Sequence, residues 1–254
     1  MQEPSALGRI VELVRDLRRR CPWDAAQTSL TLRPYLVEEA LELDQAIASR
    51  DDERIREELG DLLLHLAFQI VLGEEAGTFG AGDVTRTIEA KMWRRHPHLF
   101  DRGDEPESWE RTKLTDRGGS QRSVLDGLPP TLPALIMAMR LQERAGGVGF
   151  DWPDVSGPRQ KVREELEELE SELANGADAQ RVKSEIGDLL FAVVNLSRKL
   201  DCDPRAALEK ANSKFLKRFR AVENLAGGRE IDLARADLSQ LDELWEDVKK
   251  SEGS

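Results

Sequence analysis

The chain has 254 residues, well above the roughly 150 that serve as a soft prior for one domain, so two compact units are expected. Hydrophobic residues make up 39% and charged ones 34%, enough for a core but with no uninterrupted apolar run of about 18 residues that could cross a bilayer. The formal charge of −12 makes generic binding to a nucleic acid backbone repulsive, and the absence of a CxxC pair or an apolar leader points to a reducing cytoplasm.

A single tyrosine and abundant Leu, Ala, Glu and Arg favour helices, and no segment alternates as a half-buried strand would. An all-α fold is expected. In chain order, the first strongly patterned segment places Leu36, Ala40, Leu43 and Ile47 on one stripe of an amphipathic helix that also carries Glu38, Glu39 and Glu42. Glu58 and Asp61 open the next, which is highly apolar from Leu59 to Leu72, and Lys91 and Arg95 lie on a later basic segment. Gly118-Gly119-Ser120 and Pro129-Pro130 then mark a turn-rich connector, after which Leu132 to Arg144 reads as a helix.

The pattern then repeats. Val162, Leu166, Leu169 and Leu173 reproduce the first stripe, and Glu164, Glu165 and Glu168 reproduce its acids at an offset of 126 residues, Glu39 to Glu165. Glu185 and Asp188 match Glu58 and Asp61 at an offset of 127, and Lys214 and Arg218 match Lys91 and Arg95 at 123. Two tandem copies of one helical unit account for all three matches. The expected organisation is a first domain over 1–116, a linker over 117–130 and a second domain over 131–254.

Each copy thus carries a Glu-Glu-x-x-Glu helix followed, after 15 residues in the first and 16 in the second, by a Glu-x-x-Asp helix. Solvated charge is the ordinary explanation of acids on a Glu-rich helix. The segment Ile186 to Leu196 argues otherwise: almost wholly apolar and expected to be buried on most sides, it nevertheless holds Glu185, Asp188 and Asn195 among its residues or beside them. Ionised groups sharing a low-dielectric site need a counter-charge. Two i,i+3 carboxylate pairs converging from facing helices suit a hard divalent ion, Mg²⁺ or Mn²⁺. A di-iron site is disfavoured because its Glu-x-x-His pairing is missing: His65 follows Asp61 by four residues, and its counterpart is Ala192. His65 by itself reads as a packed histidine. Lys214 and Arg218, on a segment that also holds Lys210 and Lys217, could clamp phosphate oxygens or form a solvated basic face. No phosphate-binding glycine loop and no nucleophilic triad is present.

The paired acidic motifs, together with Cys21-Pro22-Trp23-Asp24 followed by Gln27-Thr28, Arg94-Arg95-His96-Pro97-His98, Val148-Gly149-Phe150-Asp151-Trp152 and Ala211-Asn212-x-Lys214-Phe215, resemble the MazG family of nucleoside triphosphate pyrophosphohydrolases over nearly the whole chain. The resemblance implies a four-helix-bundle-like homodimer, Mg²⁺ dependence, and hydrolysis of a nucleoside triphosphate to monophosphate and pyrophosphate, an activity suited to clearing nucleotide pools. It implies Glu165, Glu168, Glu185 and Asp188 as metal ligands, with Lys161, Arg181, Lys214, Arg218 and Trp245 around the nucleotide. Trp245 can equally be read as an anchor of the last helix.

The resemblance also implies that the second copy is the active one, and the copies differ accordingly. Asn195 corresponds to Phe68 and Asn212 to Glu89, so the first copy lacks two amides that could bind base or ribose. It keeps Glu39, Glu42, Glu58 and Asp61 as a second candidate metal site. Glu164 could orient the attacking water, although its helical position turns it away from the other acids. Two rivals remain at this stage: a non-catalytic, nucleotide-responsive interaction protein, and a phosphatase that releases orthophosphate stepwise.

Overall fold

The computed structural model describes residues 6–96, 99 and 123–252. Among these are ten α-helices and no strand, as the composition led one to expect, and no helix is long and apolar enough to cross a membrane. The chain divides into two compact units, Met1–Glu107 and Ser108–Ser254. The expected domain end at residue 116, the first part of the 117–130 linker, and Pro97 and His98 lie outside the described residues.

The first unit contains α1 (Ala6–Arg20), α2 (Pro22–Ala25), α3 (Ser29–Ser49), α4 (Asp52–Glu75) and α5 (Ala81–Arg95). Thr28 caps α3 in a reciprocal arrangement: its hydroxyl accepts from Thr31 N at 3.2 Å, and its own N–H donates to the Thr31 hydroxyl at 2.8 Å. Arg50 ends the helix in the left-handed conformation, φ 56°, and Asp51 at once caps α4 by accepting from Arg54 N. This two-residue link makes α3 and α4 an antiparallel hairpin. Val14 of α1, Leu32 of α3 and Ala67, Phe68 and Val71 of α4 form the core. Arg15 and Arg18 of α1 clamp Glu74 and Glu75 at the end of α4, and Arg18 also donates to the carbonyl oxygens of Asp24 and Gln27. Helix α5 buries no side chain.

The second unit repeats the hairpin. It contains α6 (Ala134–Gly147), α7 (Ser156–Ala174), α8 (Ala179–Lys199), α9 (Pro204–Gly228) and α10 (Leu238–Glu252). Helix α6 starts two residues later than Leu132, beyond Pro133. Gly176, at φ +66°, makes the turn out of α7, and Asp178 caps α8. Buried Gln142 of α6 donates to the Phe191 carbonyl of α8 at 2.8 Å, and buried Arg144 donates to the carbonyls of Leu125 and Asp126. Helices α9 and α10 pack through Val222, Ala226, Leu244 and Val248. Nothing equivalent to α10 packs on α5 among the described residues of the first unit.

Two expectations need correction. The inward stripe of α3 runs through Leu32, Leu36, Glu39, Leu43 and Ala46, leaving Ala40 and Ile47 exposed, and that of α7 runs through Pro158, Val162, Glu165 and Leu169, leaving Leu166 and Leu173 exposed. Each stripe is rotated toward its hairpin partner, which carries Glu39 and Glu165 inward. Helix α8 is also not buried on most sides within the chain: Ile186, Leu190, Phe191 and Val193 are all exposed. A hairpin covers only one flank of each of its helices, and α6 covers part of another.

The segment before α7 is held by Asp151, which accepts from Arg198 at 2.6 and 3.0 Å and pairs with Lys199 at 2.9 Å. Those hydrogen bonds, Arg198 foremost, hold its carboxyl down to about 2. A carboxyl lowered on folding stabilises the fold above its ordinary value and loses that contribution as pH falls toward the lowered one. Asp151→Asn is therefore expected to cost about 2 kcal/mol at neutral pH, with the penalty shrinking toward pH 2. Urea unfolding at several pH values checks both.

Candidate metal centres and the cationic cavity

Carboxylate oxygens of Glu39, Glu58 and Asp61 lie within 4.8 Å of one another, as do those of Glu165, Glu185 and Asp188. In both units the hairpin produces the cluster. The first helix supplies one inward glutamate, and the second supplies an i,i+3 pair on one face. Glu58 and Glu165 are buried, Glu39 and Glu185 half-buried, and Asp61 and Asp188 exposed, so each cluster opens to solvent on one side.

Glu42 and Glu168 complete neither trio but stand close enough to be felt. Burial raises the Glu185 carboxyl, and the neighbouring charge of Glu168, then Asp188 and Glu165, raises it further. Burial likewise raises Glu39, with Asp61, Glu42 and Glu58 adding to it. Glu58 is raised by burial and by Glu42, against the opposing pull of Arg54. Three acids crowded onto one spot, among them Glu39, Glu58 and Glu185 raised by burial and by their acidic neighbours, are a fitting ligand set for a divalent cation of the oxygen-binding class.

The local cations differ between the copies. In the second unit the Lys161 ammonium contacts Glu165 at 2.6 Å and Glu164 at 2.7 Å, one turn along α7. Residue 35, at the matching position of the first copy, is a tyrosine. Tyr35 stacks on His65, with centroids 6.2 Å apart, and His65 Nε2 lies 3.8 Å from Glu39. Burial lowers the pKa of His65, partly opposed by Asp61, and its Nδ1 has no hydrogen-bond partner among the described residues. The match of His65 with Ala192 is evident from the sequence, whereas that of Tyr35 with Lys161, legible at the offset of 126 residues, escaped the sequence analysis. Arg54, 3.8 Å from Glu58, is the cation paired with the first cluster among the described residues.

The other expected residues fall into separate places. Asn212, Lys214, Arg218 and Trp245 come together with Ala211 and Phe215 around a cavity of about 340 Å³ between α9 and α10. Trp245 packs on Phe215 at 5.5 Å and against the α9–α10 core, so one face of its ring is an anchor as well. Asn195 is buried, and its carbonyl oxygen is taken by Arg198 at 2.7 and 3.1 Å, which ties it to the Asp151 network. Arg181 is exposed and faces Glu172 at 3.8 Å. Glu164 is outward, as its helical position led one to expect, and pairs with Lys161.

One residue of this region has no sequence signal. Glu252, near the end of α10, accepts from Arg218 Nε at 2.7 Å and lies 3.5 Å from Lys217 Nζ. The contact spans 34 residues, and no local spacing announces it.

The model of the MazG nucleotide pyrophosphohydrolase domain matches this chain twice, over residues 27–100 and 158–223, the segments that hold the two carboxylate hairpins. The chain is 42% identical to the nucleoside triphosphate pyrophosphohydrolase/pyrophosphatase MazG of Thermotoga maritima, over 94% of both proteins. It is 40% identical to the nucleoside triphosphate pyrophosphohydrolase of Escherichia coli K12 over 99% of both. It is also 41% identical to the uncharacterized protein YabN of Bacillus subtilis, over 94% of this chain and 51% of that protein.

Proposed function

Since the chain belongs to the MazG nucleotide pyrophosphohydrolase family, we propose that it hydrolyses nucleoside triphosphates to monophosphates and pyrophosphate at the second-unit carboxylate cluster. The observation that carries the reading is the convergence of Glu165, Glu185 and Asp188 within 4.8 Å, in the unit that also holds the Lys214–Arg218–Trp245 cavity. Glu165, Glu185 and Asp188, with Glu168 beside them, are the residues that would hold Mg²⁺, or Mn²⁺ in its place. A divalent ion there neutralises triphosphate charge and lowers the pKa of a bound water.

The chain's own groups do the rest. Water attacks the α-phosphorus, the bond to the bridging oxygen breaks, and pyrophosphate leaves with that oxygen. Lys214 and Arg218 donate to the phosphate oxygens and stabilise charge developing on the leaving group. Lys161, tethered to Glu164 and Glu165, can move its ammonium from carboxylate to phosphate within the reach of its side chain. Asn212 offers an amide at the cavity wall, and Trp245 offers a ring edge to the base. Arg181 and Asn195 act from outside that cavity, Asn195 by positioning Arg198.

Product identity tests the reading. A panel of triphosphates incubated with and without Mg²⁺ should give monophosphate and pyrophosphate in equal amounts, only with the ion. Stepwise orthophosphate through a diphosphate would establish the phosphatase instead, and no turnover with any triphosphate would favour the interaction protein. The unpaired cysteines Cys21 and Cys202 are consistent with a reducing cytoplasm as the source of substrate.

The reading includes a homodimer. Leu166, Leu173, Ile186, Leu190 and Val193 expose an apolar flank of the α7–α8 hairpin, and a second hairpin laid on it would complete a four-helix bundle. Light scattering at micromolar concentration is expected to give twice the 28.6 kDa chain mass. A fully active monomer would contradict it.

A further inference from the structure

The basic face of α9 carries more positive charge than one anion pair requires. Lys210, Lys214 and Lys217 line a groove of about 700 Å³, contiguous through Ala211 and Lys214 with the cavity that holds Arg218 and Trp245. Glu252 is the one acid among the groove's lining residues, and it is the residue that engages Arg218 and Lys217. Its location is electrostatically unfavourable on its own helix, because the C-terminal end of α10 carries the negative end of the helix dipole. Arg218 offsets that: its hydrogen bond holds the Glu252 carboxyl below its ordinary value. The two side chains are 22% and 27% exposed and meet at the protein surface, so the pair is open to exchange with a competing anion and is screened by salt.

We propose that Glu252 is an internal stand-in for substrate phosphate, occupying Arg218 and Lys217 in the nucleotide-free protein and displaced by the phosphate oxygens of triphosphate or pyrophosphate. The inference rests on the functional reading above and extends it to a residue that sets substrate affinity without touching the reacting atoms. A carboxylate and a phosphate oxygen make the same charge-assisted hydrogen bond to a guanidinium, so each excludes the other. Binding then replaces one ion pair by another, and its net gain is smaller than the cationic groove alone would supply. The same exchange run backward speeds product departure, because the returning carboxylate competes for Arg218 as pyrophosphate leaves. Glu252 is therefore a positioning residue that trades affinity for release.

The test uses the full chain and two readouts: calorimetric titration with pyrophosphate in Mg²⁺, and steady-state kinetics with a triphosphate. Glu252→Gln is expected to tighten pyrophosphate binding and lower KM by about three- to tenfold, with a much smaller change in kcat. Glu246→Gln removes an equal charge from the same helix, where Glu246 pairs with Lys249 at 2.6 Å, and is expected to shift neither readout comparably. In an Arg218→Gln background the Glu252→Gln change should lose its effect. If the parent releases pyrophosphate but Glu252→Gln leaves KM and pyrophosphate affinity unchanged or weaker, the exchange is wrong while the activity stands. A fall in melting temperature with KM unchanged or raised would likewise make Glu252 a structural anchor and overturn it. If the parent turns over no triphosphate, the functional reading fails, and the pyrophosphate titrations alone decide the exchange.

Discussion

Glu165→Gln, Glu185→Gln and Asp188→Asn are each expected to lower turnover by about 10²-fold or more while leaving helical content intact. Glu168→Gln is expected to follow them, through its charge beside Glu185 rather than through membership of the trio. Loss of a negative ligand weakens metal binding and removes the field that places the ion. Glu185→Gln carries a second, opposite signature. Its carboxyl is raised by burial and by Glu168, so the folded chain binds that proton more tightly than the unfolded one. Such a group contributes stability below its ordinary value and loses it as pH rises through the raised one. Above that value the metal-free parent carries the repulsion and the amide variant does not. Differential scanning in EDTA at pH 7.5 should therefore show Glu185→Gln melting above the parent, with Mg²⁺ raising the parent and not the variant. Two variants with near-parental rates at saturating Mg²⁺ would remove the cluster from the mechanism.

The second large effect is an inequality between the units. Glu39→Gln and Glu58→Gln are expected to cost less than about tenfold in activity, against the 10²-fold or more of their second-unit counterparts. The first unit has a matched trio, but Phe68 is buried in its core where Asn195 stands in the second, and Glu89 replaces Asn212. Helix α5, which carries Lys91, buries no side chain, whereas α9 is backed by α10 and gains Trp245 from it. A ligand set without a nucleotide-binding wall supports metal binding better than turnover. Kinetics of the four single variants in the full chain give the ranking. The reverse order would move the active site to the first unit, and equal losses would mean a site shared by both.

The tandem repeat was legible because it is written in local spacings: Glu39 with Glu42, Glu58 with Asp61, and the same again at 165–168 and 185–188. Helical periodicity grouped those acids on facing helices, and of them Glu39, Glu58 and Asp61, and again Glu165, Glu185 and Asp188, come within 4.8 Å of one another. It could not say how far each helix is turned. In α3 and α7 two apolar stripes overlap, and only the hairpin partner decides that Ala46 goes in while Ile47 stays out. The exposed flank of α8 escaped for a related reason: an apolar run reports that a helix needs cover, not whether its own chain supplies it. Contacts such as Arg198 with Asp151 and Arg218 with Glu252 span 47 and 34 residues and leave no trace in spacing. Asn195 stands out in the sequence as an amide on an apolar helix, but its oxygen serves Arg198.

Lys161 and its replacement by Tyr35 give the two acidic hairpins different ionic atmospheres. In the second unit the counter-ion is covalently tethered to the helix that bears Glu165, so its local concentration is fixed and dilution cannot remove it. In the first unit an aromatic pair occupies that place, and, apart from Arg54 at 3.8 Å, neutralisation falls to ions drawn from solution. Desalting thus leaves the first hairpin only the longer Arg54 contact, 3.8 Å from Glu58, and the second its Lys161 ammonium, 2.6 Å from Glu165.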